Sequence, residues 1–353
     1  AVERWQNRIR HLRSFLQGWA KHLSGVYKIE KDRLLSLVQA LDVKAESALL
    51  LPAELQVKNE AEKRLKELLR EEELKWALRA KVRKVVQGDA NTQFFHLIAN
   101  GKHRKKRIFQ LEQDEGTILG QDNLKTYITE YYRQLFGPPE ANCVSLDESR
   151  VEDVPQLTAA DNDILAAPFS EKEVFEAIAQ MKNNKAPGPD GFPAEFYKKC
   201  WHIIKGDLLP MFHDLFSGQL QLFHLNFETI TLLPKKMDAA RIEQFRPICL
   251  LNVSFKIFTK VGTNRLTQIA HSVVQQSQTA FMPDRNILEG VVVLHETLHD
   301  IHSKKLDGVI FKVDFEKAYD KVKWPFLQQA LRMKGFDEAW RRQVEFFTQK
   351  GSV

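Results

Sequence analysis

The spacing of apolar residues near the amino terminus has the period of an α-helix. In the first run, the apolar side chains that share one helical face are Trp5, Ile9, Leu12, Phe15 and Leu16. A second run extends from Glu54 to Val86 without glycine or internal proline, and Gly88 follows it as a stop. Because Pro52 separates the two runs, the pattern predicts two long helices that pack antiparallel, followed by a short helix around residues 94–98.

Residues 108–169 predict a β-hairpin and then a linker. Two short apolar runs, 108–111 and 117–119, flank the turn-forming sequence Asp114-Glu115-Gly116. From there to Glu176 acidic residues dominate, and 137–155 is rich in proline. We therefore predict a helical region with a hairpin over 1–136, an acidic linker over 137–169 and a second domain over 170–353.

The carboxyl-terminal half predicts helices, short strands and one irregular loop. Ser170 opens a helix with the spacing of a capping box to Glu173. Two prolines and two glycines exclude regular structure over 185–191, and Pro193 begins the next helix. The remaining predicted elements are a strand over 229–233, helices through 257–269 and 287–302, a strand over 309–313 that ends on Asp314, and helices from Trp324 onward.

Composition and charge narrow the class of protein. The 353 residues are 43% hydrophobic, which is typical of a folded chain, and no apolar run approaches the roughly 20 residues that cross a bilayer. The net charge is +6, but the segment from Arg79 to Arg107 contains nine basic residues and one acid. It ends in a run whose cations are Lys102, Arg104, Lys105, Lys106 and Arg107. We expect this run to bind a polyanion or to serve as a nuclear localisation signal; a solvated loop is the alternative.

The first residues and the cysteines bear on origin and compartment. The chain begins without methionine and without an apolar signal segment, so we expect it to be a piece of a longer protein. Cys143, Cys200 and Cys249 lie too far apart for a zinc knuckle, and an odd number does not suit a disulfide framework. An intracellular location, in the nucleus and the cytoplasm, is expected. No membrane partner is expected, and the oligomeric state is left open.

A zinc site is one candidate for chemistry. His295-Glu296-Thr297-Leu298-His299 places two histidines four residues apart on a predicted helix, with a glutamate beside the first. The site needs a third protein ligand. His302 comes too soon to supply it, and carboxylates farther along lie beyond a predicted strand. The alternative is a half-exposed helical face on which histidine is an ordinary polar residue.

Two further candidates suit phosphate chemistry. Asp314 ends a predicted strand, and a carboxylate there suits Mg²⁺, which prefers oxygen ligands, although such an aspartate is also a common cap. The second candidate is a set of basic residues, Lys235, Lys236, Arg241 and Arg246. Their cationic side chains suit binding to a triphosphate or to a nucleic-acid backbone. The alternative is a solvated, charged edge.

Five blocks of sequence, read in order, resemble a known family. They are 182–192 (KNNKAPGPDGF), 232–236 (LLPKK), 245–252 (FRPICLLN), 278–281 (QTAF) and 314–320 (DFEKAYD). In order and spacing they are similar to the reverse transcriptases of LINE-type (non-LTR) retrotransposons of the kind found in plants. The stretch from Trp76 to His96 resembles the segment that joins endonuclease to reverse transcriptase in these elements.

The resemblance implies a fold and site residues. The fold would be α+β, with reverse transcriptase fingers, an incomplete palm whose core spans about 226–353, and no thumb. Asp314 matches the catalytic, metal-binding carboxylate of the palm, with the carbonyl of Phe315 as a further ligand for Mg²⁺. Arg246 matches the arginine that contacts the incoming triphosphate, and Lys235 matches a second basic contact. Tyr319 matches the residue under the deoxyribose that discriminates against a 2′-hydroxyl.

The resemblance also implies an activity and its limits. The parent protein would copy an RNA template onto a DNA primer from dNTPs. The family supplies further carboxylates in a Tyr-x-Asp-Asp hairpin, whereas this sequence contains no Asp-Asp dipeptide, so we expect the chain to stop before that block and to be inactive alone. The alternative is a catalytically dead remnant that binds nucleic acid.

Two positions, Glu296 and the residue before Arg285, can be compared directly with the family's usual residues. Family members carry a glutamate at the place of Glu296, often with a histidine three residues on and no metal implied, which leaves a zinc metallohydrolase as the weaker alternative. The family usually has glycine before the arginine that matches Arg285, whereas this chain has Asp284.

Overall fold

The computed structural model describes residues 1–80, 108–137, 145–221, 225–313 and 322–349. The helices, in chain order, are α1 (Val2–Ser47), α2 (Pro52–Ala80), α3 (Gln121–Leu135), α4 (Ala159–Ala166), α5 (Glu171–Gln180), α6 (Ala194–Lys199), α7 (Trp201–Phe216), α8 (Val253–Val273), α9 (Ile287–Ser303), α10 (Trp324–Met333) and α11 (Glu338–Gln349). Strands β1 (Gln110–Gln113) and β2 (Gly116–Leu119) form one two-stranded sheet, and β3 (Glu228–Pro234) and β4 (Phe245–Leu251) form another. This mixture of helices and strands is consistent with an α+β fold.

The chain forms two compact units. One is built from Ala1–Ile9, Lys125–Leu232 and Arg246–Val353, and the other from Arg10–Leu124 and Leu233–Phe245. The three regions predicted from the sequence, 1–136, 137–169 and 170–353, stay a prediction. In the described part of the predicted acidic linker, a short 3-10 helix (Glu148–Asp153) precedes α4, which Thr158 caps through Asp161.

The long helices α1 and α2 pair antiparallel, as the sequence predicts. Lys31 Nζ lies 2.8 Å from a carboxylate oxygen of Glu72, while Arg64 Nε lies 2.9 Å from one of Glu30. Near the connection between the helices, Lys44 pairs with Glu54. Contacts therefore join the end of one helix to the start of the other. The predicted short helix at 94–98 and the end of the second run lie outside the described residues.

The apolar face predicted for α1 is buried over only part of its length. Trp5 and Ile9 are buried, but the Phe15 side chain is 67% exposed. The reason is that α2 lies against a neighbouring face of α1, where Leu23 and Tyr27 line a cavity of about 580 Å³ together with residues of α2.

The predicted β-hairpin is confirmed. Strands β1 and β2 are antiparallel, and Gln113 pairs with Gly116 across a turn formed by Asp114 and Glu115. Gly116 has φ of +133°, a conformation that side chains disfavour, which explains glycine at this position. The hairpin also contacts the segment before β4, because the Glu112 amide donates to the Ala240 carbonyl at 2.8 Å.

Helix α8 carries the core of the first unit. Phe258 is fully buried, and its ring lies 4.3 Å from that of Phe212 on α7. Farther along α8, a buried apolar cluster joins α8 to α4 and to the segment of α10 and α11: Leu165, Ile269, Val273, Phe336 and Trp340. The predicted capping box is confirmed, since Ser170 and Glu173 cap α5 reciprocally.

Three sequence predictions need correction. Pro193 is the cap residue before α6 and not its first helical residue. Residues 245–251, for which no strand was predicted, form β4. The alternating residues 309–313 form no strand within the described part of the chain, and Val309 and Phe311 are exposed. An alternating pattern forms a strand only where a partner strand supplies hydrogen bonds, and no described strand pairs with 309–313.

No helix among the described residues has the length and apolar character needed to span a bilayer.

Candidate functional site

The loop at 185–191 docks onto the junction between β4 and α8. The Asp190 amide donates to Asn252 Oδ1 at 3.0 Å, and the Phe192 amide donates to Asp190 Oδ1 at 3.0 Å. The loop closes on itself through a bond from the Gly191 amide to the Gly188 carbonyl. These contacts bring together two of the five sequence blocks, 182–192 and 245–252, which lie some sixty residues apart in the chain.

Gly188 is required where this loop meets β4. It is buried, and a methyl group on its α-carbon would lie 2.5 Å from the Leu251 carbonyl and from the Asn252 amide nitrogen. Both neighbours are backbone atoms, which cannot rotate away as a side chain can. Any larger residue must lift the loop off the strand.

We expect Gly188→Ala to lower the free energy of unfolding by about 2 kcal/mol, because overpacking against backbone displaces the loop. Thermal denaturation measures the loss. Gly206→Ala on α7 is the matched control, since a methyl group there meets nothing within 4 Å. Equal stability of the two variants would contradict the close approach at Gly188.

Two ionisable groups lie beneath the loop. Burial raises the pKa of the Tyr197 phenol well above its ordinary value, and the nearby charge of Asp190 adds to the effect. Burial also lowers the pKa of Lys256, while Asp190 opposes this shift. The phenol therefore stays protonated at neutral pH, which suits a packing role better than proton transfer.

Arg246 is presented to solvent. It lies on β4 with an exposed side chain, and its guanidinium makes no hydrogen bond or ion pair with the residues that the structure describes. A guanidinium group that a strand holds in place and whose N–H donors are free can form two parallel hydrogen bonds to one phosphate group.

Lys235 is exposed and partly restrained. Its Nζ donates to the Glu243 carbonyl at 2.7 Å, and its amide donates to the Gln244 carbonyl at 2.8 Å. A carbonyl does not neutralise the ammonium, so the charge is still available to an anion. Lys235 and Arg246 belong to different compact units.

Arg241 does not act as a free cation, contrary to the expectation for the basic set. Its guanidinium pairs with Asp114 of the hairpin, and this hydrogen bond raises the pKa of Arg241. The sequence could not indicate this pairing, because 127 residues separate the two partners.

Several predicted site residues lie outside the described residues, and their roles stay predictions. They are Asp314, Phe315, Tyr319 and the basic run Lys102, Arg104, Lys105, Lys106 and Arg107.

The zincin pattern lies on helix α9, as the sequence predicts. His295 and His299 are exposed on α9. Within the described ranges, no group of three or more histidine, cysteine or acidic side chains is placed to hold a metal ion. The zinc hydrolase alternative is therefore unsupported.

The turn before α9 explains the position where glycine is usual in the family. Asp284 has φ of +58°, in the left-handed region that glycine favours and that aspartate tolerates better than most residues. The neighbouring Arg285 then donates to the carbonyls of Val274, Gln275 and Gln278, at 3.1, 2.6 and 2.7 Å. This anchoring role was missed from the sequence, although the family's arginine at this position was a signal for it.

Comparison with known proteins gives one family match and several relatives. Residues 233–352 match the family of reverse transcriptases (RNA-dependent DNA polymerases). Over 336 residues the chain is 28% identical to a protein of Xenopus laevis described as the transposon TX1 uncharacterized 149 kDa protein, covering 92% of this chain and 25% of the relative.

Two insect relatives match a shorter part of the chain. The retrovirus-related Pol polyprotein from the type-1 retrotransposable element R2 of Nasonia vitripennis is 26% identical over 47% of this chain and 16% of its own length. The corresponding polyprotein from element R1 of Bradysia coprophila is 24% identical over 43% of this chain and 15% of its own length. The chain thus spans a quarter or less of these relatives.

Proposed function

We infer that this chain, a LINE-type reverse transcriptase over residues 233–352, is part of an RNA-directed DNA polymerase of a non-LTR retrotransposon. The family match over 233–352 is the single observation that carries this proposal. The docked loop supports it, because the two sequence blocks that belong to the polymerase lie together at Asn252. On this proposal, residues 170–353 are the fingers and part of the palm.

The exposed cations are proposed to bind the incoming nucleotide. Negative charge increases on the transferring phosphoryl group, and fixed cations stabilise it. Arg246, which has no partner among the described residues, would contact the triphosphate, and Lys235 would make a second contact. Tyr319 would lie under the deoxyribose, where an aromatic ring leaves no room for a 2′-hydroxyl.

Asp314 and the Phe315 carbonyl are proposed to hold Mg²⁺. Both supply oxygen, the donor that Mg²⁺ prefers, so the donor chemistry fits this ion. The ion would neutralise charge on the phosphates of the nucleotide. A single carboxylate holds Mg²⁺ weakly, and the sequence offers no Asp-Asp pair to complete the site.

The basic run at 102–107 is proposed to bind the RNA template or the DNA primer. Each lysine or arginine that neutralises a phosphate releases a counterion, which makes the affinity depend on salt. The run carries five cations and no acid.

Replacing Lys105, Lys106 and Arg107 by alanine should weaken RNA binding and flatten its dependence on salt. The slope of log K against log salt is negative, and its magnitude is expected to decrease by about 2 to 3, since three phosphate contacts are lost. Fluorescence anisotropy with a labelled RNA, from 50 to 300 mM salt, measures it. The matched control replaces Lys63, Lys66 and Arg70, three exposed cations of α2. An unchanged slope in the first variant would mean that the run binds no phosphate.

Primer extension tests the function of the chain as given. Because the sequence has no Asp-Asp pair to complete the site with Asp314, we expect the purified 353-residue chain to bind a primer–template and to add no dNTP in Mg²⁺. Template-dependent synthesis by this chain would overturn the expectation of inactivity. A longer protein that contains the chain and also fails to extend the primer would favour the alternative, a binding remnant without catalysis.

A further inference from the structure

The first part of α1 is basic, while the rest of the helical pair is balanced in charge. Between Arg4 and Ile29 the sequence contains six lysines and arginines and no acidic residue. From Glu30 to Ala80 it contains eleven acidic and ten basic residues. The charge is therefore concentrated on one stretch of helix, separate in sequence from the basic run at 102–107.

This stretch of α1 presents three rows of side chains, in order around the helix. Residues seven apart stand nearly above one another, and a step of four residues moves by about 40° to the next row. The first row is cationic and consists of Lys21 and Lys28. The second row consists of Gly18 and Gly25. The third row is aromatic and aliphatic, with Phe15, Trp19, Val26 and Ile29.

The third row is open to solvent. The side chains of Phe15, Trp19 and Ile29 are 67%, 53% and 72% exposed. Trp19 also borders the cavity between the helices, as do Ala20, Leu23 and, from the cationic row, Lys28, whereas Phe15, Val26 and Ile29 do not line it. A solvated charged face would account for the lysines, but it does not account for large apolar side chains held in water beside them.

The cationic row makes no ion pair with any described residue. Neither Lys21 nor Lys28 forms a salt bridge within the part of the chain that the structure describes, whereas Lys31, one turn later, pairs with Glu72. Both free lysines are exposed. Their charge is available to an anion outside the chain.

The two glycines are not needed for packing within the chain. A methyl group on Gly18 or Gly25 would meet nothing within 4 Å, and neither has positive φ. Alanine is the better helix former at both positions. Their use leaves the backbone accessible between the cationic and aromatic rows.

We propose that this face of α1 binds single-stranded nucleic acid. Phosphates would contact Lys21 and Lys28, unpaired bases would stack on Phe15 and Trp19, and the glycines would let the strand approach the helix closely. Stacking on aromatic rings requires bases that are not already paired, which favours a single strand over a duplex. The proposal does not depend on polymerase activity.

Anisotropy with fluorescein-labelled 20-nucleotide oligo(U) and oligo(dT) tests the proposal on the full 353-residue chain. Trp19→Ala and Phe15→Ala should each weaken binding about fivefold or more. Lys21→Gln together with Lys28→Gln should reduce the salt slope by about 1 to 2. Leu49→Ala, at an exposed apolar site near the end of α1, should change neither quantity. In the variant with alanine at 105, 106 and 107, adding Trp19→Ala should still weaken oligonucleotide binding. This result would show that the face of α1 and the basic run are separate binding surfaces.

The glycines provide the sharper test. Gly18→Ala with Gly25→Ala should raise the thermal midpoint, because the helix is favoured, and should weaken oligonucleotide binding at least severalfold. Gly206→Ala on α7 should leave binding unchanged. Unaltered affinity in both the glycine pair and Trp19→Ala would overturn the proposal. Salt-independent dimerisation that Trp19→Ala abolishes, or binding to anionic vesicles in preference to oligo(U), would also overturn it.

Discussion

Replacing Arg265 by methionine should lower the free energy of unfolding by about 3 kcal/mol, measured by chemical denaturation. Arg265 lies on α8 with only 3% of its side chain exposed. Its guanidinium ties α8 to the end of α4 and the start of α5, donating to the Leu165, Ala167 and Pro168 carbonyls and to the Glu173 carboxylate. The group also lies over the Phe169 ring, 4.1 Å from its centre. Methionine fills similar space but leaves these acceptors without a donor.

An exposed arginine supplies the control for this prediction. Arg342 on α11 pairs with Glu338 at the surface, so Arg342→Met should cost less than about 1 kcal/mol. Similar losses in the two variants would contradict the structural role of Arg265.

The same interaction predicts a pH dependence. Burial raises the pKa of Glu173, but hydrogen bonds from Arg265 and Ser170 outweigh burial and hold this pKa below its ordinary value. A carboxyl with a lowered pKa stabilises the fold above its unfolded pKa, and this contribution is lost as pH falls through the folded pKa. The difference in stability between the wild type and Arg265→Met should therefore shrink on acidification below about pH 4.

In a longer protein that contains this chain, replacing Asp314 by asparagine should reduce DNA synthesis roughly a thousandfold, because a ligand of the proposed Mg²⁺ site loses its charge. Folding is expected to be unaffected, since asparagine has the same size. Asp307→Asn is a matched control, at an exposed carboxylate seven residues earlier. Single-turnover nucleotide addition, with circular dichroism as a check on folding, measures the effect. Equal rates for the two variants would remove Asp314 from the proposed site.

Local signals in the sequence predicted most of the elements correctly. The capping box at Ser170 and the turn at Gly116 depend on residues within a few positions of each other, and both are confirmed. The loop at 185–191 was predicted from its prolines and glycines alone, and the described residues there are irregular. Short-range chemistry fixes such features, so no knowledge of tertiary contacts is needed.

Features that depend on distant partners were not predicted. Arg265 lies on a helix whose sequence looks ordinary, and its role depends on carbonyls about a hundred residues earlier. Strand β4 contains Pro247, which disfavours a strand, and it forms because β3 pairs with it. Residues 309–313 show the opposite case, because their pattern is strand-like but no partner strand lies within the described ranges.

The candidate site was predicted by family resemblance more than by residue chemistry. Arg246 and Lys235 are exposed, as contacts to a nucleotide must be, but exposure alone would not distinguish them from other surface cations. Arg241 shows the difficulty, because the same pattern of charge leads there to a pair with Asp114.

Template-directed nucleotide addition by a longer protein that contains this chain is the decisive measurement for RNA-directed DNA synthesis. With a DNA primer annealed to an RNA template in Mg²⁺, the four dNTPs are supplied one at a time. We expect that only the deoxynucleotide complementary to the next template base is added, and that the corresponding ribonucleotide is rejected. Addition that ignores the template base, or none at all by a folded protein that binds the primer–template, would contradict an RNA-directed DNA polymerase.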